Sequence, residues 1–405
     1  MATVVCAKDQ NFQKRVPENI LRLGRKYRLA FSIQRYFNFG GLQRDLRRVV
    51  LACAELGHEV HVLTAKWEGP QPANLTIHLL RLHSRTNHGR SREFSEVVRS
   101  FARHENFDCL IGFNKMPGLD VYWSGDPCLA ERIRHRKLPF FGALPRYRTY
   151  LDLEAMVLGN RSDAEVLVLS EAEQERIVRH YGTSASRVHL LPAGIDWRRF
   201  QATSSEPLVR ASIRKELGIA EDHLMMLMVG SSFKTKGVDR ALRAVASLPT
   251  PIRRQSRLVV VGNGYAAPFR RIARRLDLAD HVLFTGGRDD VANFYRSADL
   301  LLHPARTETA GHTLLEAMLF GLPVLVTENC GYSIHIQRAQ AGLICPDPFR
   351  QSDLNRMLLQ MIPVEPRRIW KQNAIKYCNA VDLYSMVEKA VHVIVSRAER
   401  NCRAA

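Results

Sequence analysis

Short apolar runs alternate regularly along this chain with amphipathic segments of helical period. In the first half, the apolar runs predict strands at residues 29–33, 59–63, 109–113, 166–169 and 188–191. In the second half, they predict strands at residues 224–229, 258–261, 282–284, 300–302 and 324–326. The intervening pattern predicts helices at residues 42–56, 171–181, 238–247, 268–276, 291–297 and 313–320.

Strands that alternate with helices at this spacing pair in parallel and are joined by right-handed crossovers. Since the pattern occurs twice in 405 residues, the predicted fold is α/β with two doubly wound, Rossmann-like domains. The predicted segments are an extension (1–27), an N-terminal domain (28–200), a C-terminal domain (201–380) and a C-terminal helix (381–405). The hinge is expected within 195–207, and the last helix is expected to pack back towards the N-terminal domain.

Charge and cysteine usage narrow the classes of partner and compartment. Lys and Arg number 59 against 40 Asp and Glu, a formal net charge of +19, which predicts an anionic partner: nucleic acid, an acidic membrane surface or a phosphorylated substrate. The eight cysteines form no CxxC pair, which argues against a zinc ribbon and predicts reduced thiols. No run of about 18 apolar residues and no signal-like segment is present, so we expect action in the cytoplasm or at its membrane face.

Glycines mark the ends of several predicted strands. Gly40 and Gly41 open the helix at Leu42, and Gly230 precedes a run of basic residues that includes Lys234 and Lys236. Ligands of open parallel sheets bind beyond the carboxyl ends of strands, where glycine and lysine suit a diphosphate; the alternative is a solvated basic loop. Neither stretch fits GxGxxG or GxxxxGK[ST], which argues against an NAD-dependent oxidoreductase and a P-loop enzyme.

The most specific stretch runs from His303 to Ala317 and joins a predicted buried strand to a helix. Its small residues Thr309, Ala310 and Gly311 leave backbone N–H groups open at the helix start, which favours phosphate binding. Glu308 precedes them, and Glu316 lies inside the helix. The alternative is that Glu308 is a cap-like residue and Glu316 a surface charge.

Two glutamates separated by seven residues resemble the signature of retaining glycosyltransferases of the GT-B type, family 4. Four further stretches resemble the bacterial lipopolysaccharide core glucosyltransferases of that family: residues 39–45, 84–90, 112–120 and 236–240. The resemblance runs from about Arg28 to residues 383–385. It implies two Rossmann-like domains that face each other across a cleft, and transfer of a hexose, glucose from UDP-glucose, to an inner-core heptose. It implies an N-terminal domain on the acceptor and membrane side and a C-terminal domain for the nucleotide sugar, with no metal or cofactor.

The resemblance also implies roles for individual residues. Glu308, Lys236 and Asp45 would carry the chemistry, with Glu308 on the hydroxyls of the donor sugar. The implied donor contacts are Gly41, Asp45, Arg199, Lys236, Arg288, Glu308, the backbone of Thr309, Ala310, Gly311 and His312, and Glu316 on the ribose. The acceptor-side candidates are His88, Asn114 and Lys115. This chain has Thr235 where the family usually has Arg, and Lys234 is a candidate to compensate.

A basic segment with large apolar residues lies in the N-terminal half. Its members are Arg132, Arg134, Arg136, Lys137, Arg146 and Arg148, with Leu138, Phe140, Phe141 and Leu144. Such interleaving suits an anionic membrane surface, and the resemblance implies a peripheral protein on the cytoplasmic face of the inner membrane. The alternatives are a solvated basic loop and contact with phosphates of the acceptor. A nucleic-acid partner lacks support, because no helix-turn-helix, RRM or zinc-finger pattern is present.

Overall fold

The computed structural model describes residues 25–37, 40–134, 144–196, 200 and 206–404. The chain divides into two compact units, Met1–Ala193 together with Ser385–Ala405, and Gly194–Tyr384. The boundaries predicted at 200/201 and 380/381 therefore fall instead at 193/194 and 384/385. The backbone N–H of Ile195 donates to the carbonyl of Leu383 at 2.8 Å, which ties the two ends of the second unit together.

The first unit is built on one sheet of seven strands. They are β1 (Arg28–Ser32), β2 (Glu59–Thr64), β3 (Thr76–Leu79), β4 (Cys109–Gly112), β5 (Val121–Ser124), β6 (Glu165–Val168) and β7 (Val188–Leu190). Their order is β3-β2-β1-β4-β5-β6-β7, and every pair is parallel. The strand order reverses between β1 and β4, the point at which doubly wound sheets bind ligands.

Helices of the first unit are α1 (Gly41–Glu55), α2 (Asn87–Glu105), α3 (Leu129–Arg134), α4 (Pro145–Leu158), α5 (Glu171–Tyr181) and the C-terminal α15 (Met386–Ala404). The predicted start of α5 is confirmed, since the Ser170 hydroxyl accepts from the N–H of Glu173 at 3.3 Å. Helix α15 packs against α1, β4 and β6. The Arg397 guanidinium in α15 bonds the Asp163 carboxylate at 2.5 Å, which fixes the helix on this unit.

A second sheet, of six parallel strands, organises the other unit. The strands are β8 (Leu224–Val229), β9 (Ser256–Val261), β10 (Val282–Gly286), β11 (Leu300–His303), β12 (Val324–Thr327) and β13 (Gly342–Cys345). Their order is β10-β9-β8-β11-β12-β13, so the order reverses between β8 and β11. Apart from the number of strands, this is the arrangement of the first sheet, and the predicted α/β class with two Rossmann-like units is confirmed.

Helices flank the second sheet. They are α6 (Glu206–Glu216), α7 (Val238–Ala246), α8 (Thr250–Arg254), α9 (Ala267–Arg275), α10 (Val291–Ser297), α11 (His312–Leu319), α12 (Ser333–Ala339), α13 (Gln351–Gln360) and α14 (Val364–Ala380). The apolar face of α7 is buried against β8 and β9 through Val238, Leu242 and Val245. Burial of such side chains stabilises the fold by about 25 cal/mol per Å² of apolar surface.

Three strands of the structure were not predicted from the sequence pattern. Strand β3 lies at the edge of its sheet, is only four residues long (Thr-Ile-His-Leu) and has no buried residue. Strand β5 is fully buried but only four residues long, and β13 begins at a glycine. Short strands give too few residues for periodicity to separate them from loops.

Within the described residues, no helix is both long enough and apolar enough to cross a membrane. The seven cysteines of that part of the chain are all free thiols, and six are buried.

Candidate functional site

The loops that follow β8 and β11 lie side by side because these two strands are neighbours in a parallel sheet. Lys236 is in the loop after β8, and Glu308 is in the loop after β11. The Lys236 ammonium donates a hydrogen bond to Glu308 Oε1, within a salt bridge. The structure thus brings together two of the residues that the sequence predicted to carry the chemistry.

The other oxygen of Glu308 is held by a residue that the sequence analysis gave no role. His303 Nε2 lies 2.6 Å from Glu308 Oε2, and His303 is fully buried at the end of β11. The backbone of Glu308 is also fixed, because its N–H donates to Asn329 and its carbonyl accepts from Gly331. Both carboxylate oxygens therefore have a hydrogen-bond partner, and the backbone that carries the side chain is held by two further bonds. Even so, 19% of the side chain stays exposed.

Electrostatics keep this carboxylate ionised. Burial alone would raise the pKa of Glu308, but the charge of Lys236 and the hydrogen bond from His303 hold that pKa well below its usual range. Burial lowers the pKa of His303, and the neighbouring Glu308 opposes that shift only in part. At neutral pH the pair is thus a neutral imidazole that donates to an anionic carboxylate.

Two glycines let the loop after β11 approach the loops after β8 and β12. Gly237 has φ +75°, and a Cβ there would lie 2.0 Å from the carbonyl oxygen of Pro304 in the loop after β11. Gly311 has φ +108°, and a Cβ there would lie 2.4 Å from the sulfur of Cys330. Only glycine fits either position, because both the backbone angle and the space exclude a side chain.

Backbone amides lie open beside Glu308. Gly311 is the N-cap of α11, and α11 begins at His312. The N–H groups of Thr309, Ala310 and Gly311 donate to no backbone carbonyl of a described residue. Open N–H groups and the positive end of the helix dipole favour an anion, as the sequence predicted for this turn.

Glu316 is buried in α11 and is 6% exposed, so the alternative of a surface charge is wrong. Its Oε2 accepts a hydrogen bond from the Tyr295 hydroxyl at 2.8 Å. The tyrosine fixes the orientation of the carboxylate within the same unit as Glu308. The predicted contact with a ribose remains a prediction.

Arg306 is a second residue that the sequence analysis gave no role. Its guanidinium makes two hydrogen bonds to the Asp239 carboxylate, at 2.9 and 2.8 Å, and one to the Lys234 carbonyl at 2.7 Å. Burial would raise the pKa of Asp239, but Arg306 lowers it below the usual range. Arg306 thus ties the loop after β11 to α7. The Lys234 side chain is 73% exposed, and its ammonium is 3.8 Å from Asp239.

Arg288 forms ion pairs with two carboxylates. It bonds Glu216 at 2.9 and 3.3 Å and Asp290 at 2.8 and 2.9 Å, and these partners raise the pKa of the guanidinium. Its charged group also lies 5.1 Å from the centre of the Phe294 ring. A contact with a nucleobase would therefore use a guanidinium that is already held in place. Arg199, the other predicted cation, lies outside the described residues.

In the first unit, Gly41 is the first residue of α1 and Asp45 is buried one turn further along. A side chain on Gly41 would meet no atom within 4 Å, so its smallness leaves open space beside the helix start. Both residues follow β1, the strand at which the order of the first sheet reverses.

The acceptor-side candidates divide between two places. Asn114 and Lys115 line a cavity of about 370 Å³ in the first unit, together with Arg132, Arg146 and Asp126. Lys115 pairs with the fully buried carboxylate of Glu154 and donates to the Pro127 carbonyl at 3.0 Å. His88 lies in the first turn of α2 and is not among the described residues that line this cavity.

Of the predicted basic segment, four arginines are described: Arg132 and Arg134 on α3, and Arg146 and Arg148 on α4. All four are exposed, as is Leu144 at 49%. Arg136, Lys137, Leu138, Phe140 and Phe141 lie outside the described residues.

Two family profiles match the chain, one on each half. "Glycosyltransferase Family 4" matches residues 39–199, and "Glycosyl transferases group 1" matches residues 209–377. A partial relative is the D-inositol 3-phosphate glycosyltransferase of Streptomyces bingchenggensis, 31% identical over 44% of this chain and 40% of that protein.

The lipopolysaccharide glucosyltransferase WaaG of Escherichia coli strain K12 is 39% identical over 367 residues, which are 90% of this chain and 98% of WaaG. A crystal structure of WaaG superposes with a TM-score of 0.86 and covers 90% of this chain and 99% of that one. The structure of Anabaena HepE with UDP and glucose matches at a TM-score of 0.69 and 17% identity, and it covers 91% of this chain and all of that one. At this level of identity, the match shows only that the two proteins share a fold. The chain therefore belongs to the family of GT-B glycosyltransferases that includes the lipopolysaccharide glucosyltransferase WaaG.

Proposed function

We propose that this chain transfers glucose from UDP-glucose to a heptose of the lipopolysaccharide inner core, with retention of the anomeric configuration. The observation that carries the proposal is the Lys236–Glu308 ion pair, which lies where the strand order of the second sheet reverses. Support comes from the near full-length similarity to WaaG, a lipopolysaccharide glucosyltransferase.

The reaction separates a sugar from a nucleoside diphosphate, and negative charge develops on the leaving group. A lysine ammonium and preorganised N–H groups stabilise such charge in the transition state. Lys236 and the open amides of Ala310 and Gly311 are suited to that role. Since these groups supply positive charge, we expect transfer without a metal ion.

Glu308 is proposed to contact the hydroxyls of the donor sugar. His303 and the backbone contacts hold its carboxylate in place when Lys236 turns towards the diphosphate, because they are independent of Lys236. We assign Glu308 no nucleophilic role, and propose instead a front-face reaction with an oxocarbenium-like transition state. Glu316, fixed by Tyr295, is proposed to bind the ribose.

The acceptor is proposed to bind at the cavity in the first unit that Asn114 and Lys115 line. Its lining combines two arginines (Arg132 and Arg146) with the carboxylate of Asp126 and the amides of Gln34 and Asn114, and a volume of about 370 Å³ accommodates sugar residues. Hydrogen-bonding side chains suit hydroxyls, and the arginines suit an anionic group of the core. Asp45 and Gly41, at the start of α1, are proposed to lie on the donor side of this unit.

Membrane association is proposed to bring the enzyme to its lipid-borne acceptor on the cytoplasmic face of the inner membrane. The support is the exposure of Arg132, Arg134, Arg146 and Arg148 on two consecutive helices. Each cation near an anionic surface contributes about 1 kcal/mol, and salt screens the attraction.

Calorimetry tests the donor site directly. UDP should bind to the full chain in EDTA, and Lys236→Met should weaken that binding by at least tenfold, whereas Lys376→Met, on α14, should not. Absence of UDP binding at millimolar ligand would overturn the donor proposal. A panel of UDP-glucose, UDP-galactose and UDP-N-acetylhexosamines then separates the proposed donor from the alternative, a family-4 transferase with another nucleotide sugar or acceptor.

A further inference from the structure

Three side chains around Glu308 form a group with metal-ligand chemistry. A ring nitrogen of His303, a Glu308 carboxylate oxygen and Cys330 Sγ all lie within 4.8 Å of one another, and no other such group of three occurs in the described ranges. His303 Nε2 is 2.6 Å and Cys330 Sγ is 3.7 Å from Glu308 Oε2. The three donors come from the end of β11, the loop after it and the loop after β12.

We propose that this group is an inhibitory site for a thiophilic divalent cation, with Zn²⁺ as the best fit. Imidazole nitrogen, thiolate sulfur and carboxylate oxygen are the donors that Zn²⁺ prefers. Tetrahedral bonds of about 2.0 Å to nitrogen and about 2.3 Å to sulfur place the donor atoms roughly 3.3–3.5 Å apart. To reach that geometry, His303 and Glu308 must move apart from their present 2.6 Å contact. Cys330 Sγ, which lies 3.7 Å from Glu308 Oε2 and within 4.8 Å of a His303 ring nitrogen, must also move inward.

Binding has a definite proton balance. Cys330 ligates as a thiolate, so its thiol proton passes to solvent, and the sulfur turns away from the Ala310 carbonyl that it now contacts at 3.3 Å. His303 offers a lone pair at Nε2, and its proton then resides on Nδ1. Lys236 keeps its hydrogen bond to Glu308 Oε1, on the other side of the carboxylate. The fourth position on the ion is left to water.

The surroundings favour a reversible site over a resident structural metal. His303 Nδ1 has no hydrogen-bond partner among the described residues, whereas zinc-bound histidines usually donate their second N–H to an acceptor. His303 and Cys330 are buried, and Glu308 is the one ligand with substantial exposure. The cation therefore enters along the exposed side of Glu308, the side proposed to meet the donor sugar.

Inhibition is the expected consequence, and this step rests on the proposed function. A cation on Glu308 Oε2 neutralises the carboxylate and replaces its hydrogen bond to His303. Glu308 can then no longer present a negative charge to the donor sugar. Transfer should fall as Zn²⁺ binds, and a chelator should restore it.

Cobalt provides a readout that does not depend on transfer. Titration of the reduced full chain with Co²⁺ should give a thiolate-to-cobalt charge-transfer band that saturates at one ion per chain and disappears when Zn²⁺ is added. Cys330→Ser should abolish the band, and His303→Gln should weaken Co²⁺ binding by at least tenfold. Cys378→Ser, which removes a buried thiol of α14 far along the chain, should leave the band unchanged.

The wild-type titration decides even if a variant fails to fold. Absence of a saturable thiolate band in the wild type, or an undiminished band in folded Cys330→Ser, would overturn the metal site. A saturable band combined with no Zn²⁺ inhibition of a transferring enzyme would overturn the inhibitory role. If the chain transfers no sugar at all, the proposed function fails, while the cobalt result still stands on its own.

Discussion

Lys236 and Glu308 lie 72 residues apart in the chain, yet their side chains form one hydrogen-bonded ion pair across two neighbouring strand ends. The pair joins a cation suited to a diphosphate with a carboxylate suited to sugar hydroxyls. Because a parallel sheet brings the carboxyl ends of adjacent strands together, the contact follows from strand order. We propose that donor binding breaks the Lys236–Glu308 hydrogen bond. Lys236 then binds the diphosphate, while Glu308 keeps its hydrogen bond to His303.

Replacement of Glu308 should affect turnover more than nucleotide binding. Glu308→Ala should lower kcat by roughly a hundredfold or more, an electrostatic loss on the order of 3 kcal/mol, because the carboxylate faces charge that develops in the transition state. UDP affinity, measured by calorimetry, should change by less than about threefold. Glu365→Ala, which removes an exposed glutamate of α14 in the same unit, serves as the control. Turnover near wild type would make Glu308 a structural residue.

His303 should remain neutral in solution at neutral pH. Burial lowers its pKa, so the imidazole should protonate only below its usual value of about 6.5. Because the unfolded chain binds this proton more readily than the folded chain, the contribution of the neutral His303 to stability is lost as pH falls through the folded pKa. NMR titration of protein with labelled histidines, in which the His303 signal is assigned by its loss in His303→Gln, measures the pKa of His303 directly. Titration at or above the usual value would refute the neutral imidazole.

Lys115 should be tested for two roles at once. Lys115→Met leaves the fully buried Glu154 without its cation, and loss of one partner of a buried pair costs about 3–5 kcal/mol. Urea unfolding should therefore show a large destabilisation, and Glu154→Gln in the same chain should recover part of it. If unfolding is unchanged and KM for the acceptor rises, Lys115 binds the acceptor and does not stabilise the unit.

Membrane binding should depend on the described arginines of α3 and α4. Replacing Arg132, Arg134, Arg146 and Arg148 with Ser should weaken binding to anionic vesicles by roughly tenfold or more, since each contributes about 1 kcal/mol. The matched control replaces four exposed arginines of the second unit with Ser: Arg254, Arg271, Arg274 and Arg275. Cosedimentation at two salt concentrations measures the effect. Equal loss in both variants, or equal binding to neutral vesicles, would contradict a specific surface.

The sequence predicted the two Rossmann-like units because their central strands are apolar over most of their length, as β8 is. It missed β3, β5 and β13, each of which has only four residues and is too short to establish a period. The boundary was predicted at 200/201 and lies at 193/194, because the backbone hydrogen bond from Ile195 to Leu383 that holds residue 195 in the second unit has no counterpart in composition. Local pattern reveals elements, whereas long-range backbone contacts decide where a unit ends.

The candidate site was predictable in part. Glu308, Lys236 and the small residues before α11 stand out by type and position, and the sheet brings them to one place. His303 and Arg306 were missed because their partners are set by tertiary contacts. A buried histidine at a strand end is more often a packed core residue than a functional one. A single arginine is not a distinctive signal in a chain with 59 Lys and Arg. The only feature of the sequence that could have pointed to His303 and Arg306 is that both lie within five residues of Glu308.

Transfer of a hexose to a core lipid is the activity that decides the proposed function. The full chain is incubated with UDP-glucose in EDTA and a core lipid whose outermost sugar is heptose, and E. coli WaaG serves as the positive control. Mass spectrometry should find one added hexose, and NMR should find that the hexose keeps the anomeric configuration of the donor. If WaaG glucosylates the acceptor but this chain leaves it unmodified with every UDP-hexose of the panel, this chain is not a hexosyltransferase of the lipopolysaccharide inner core.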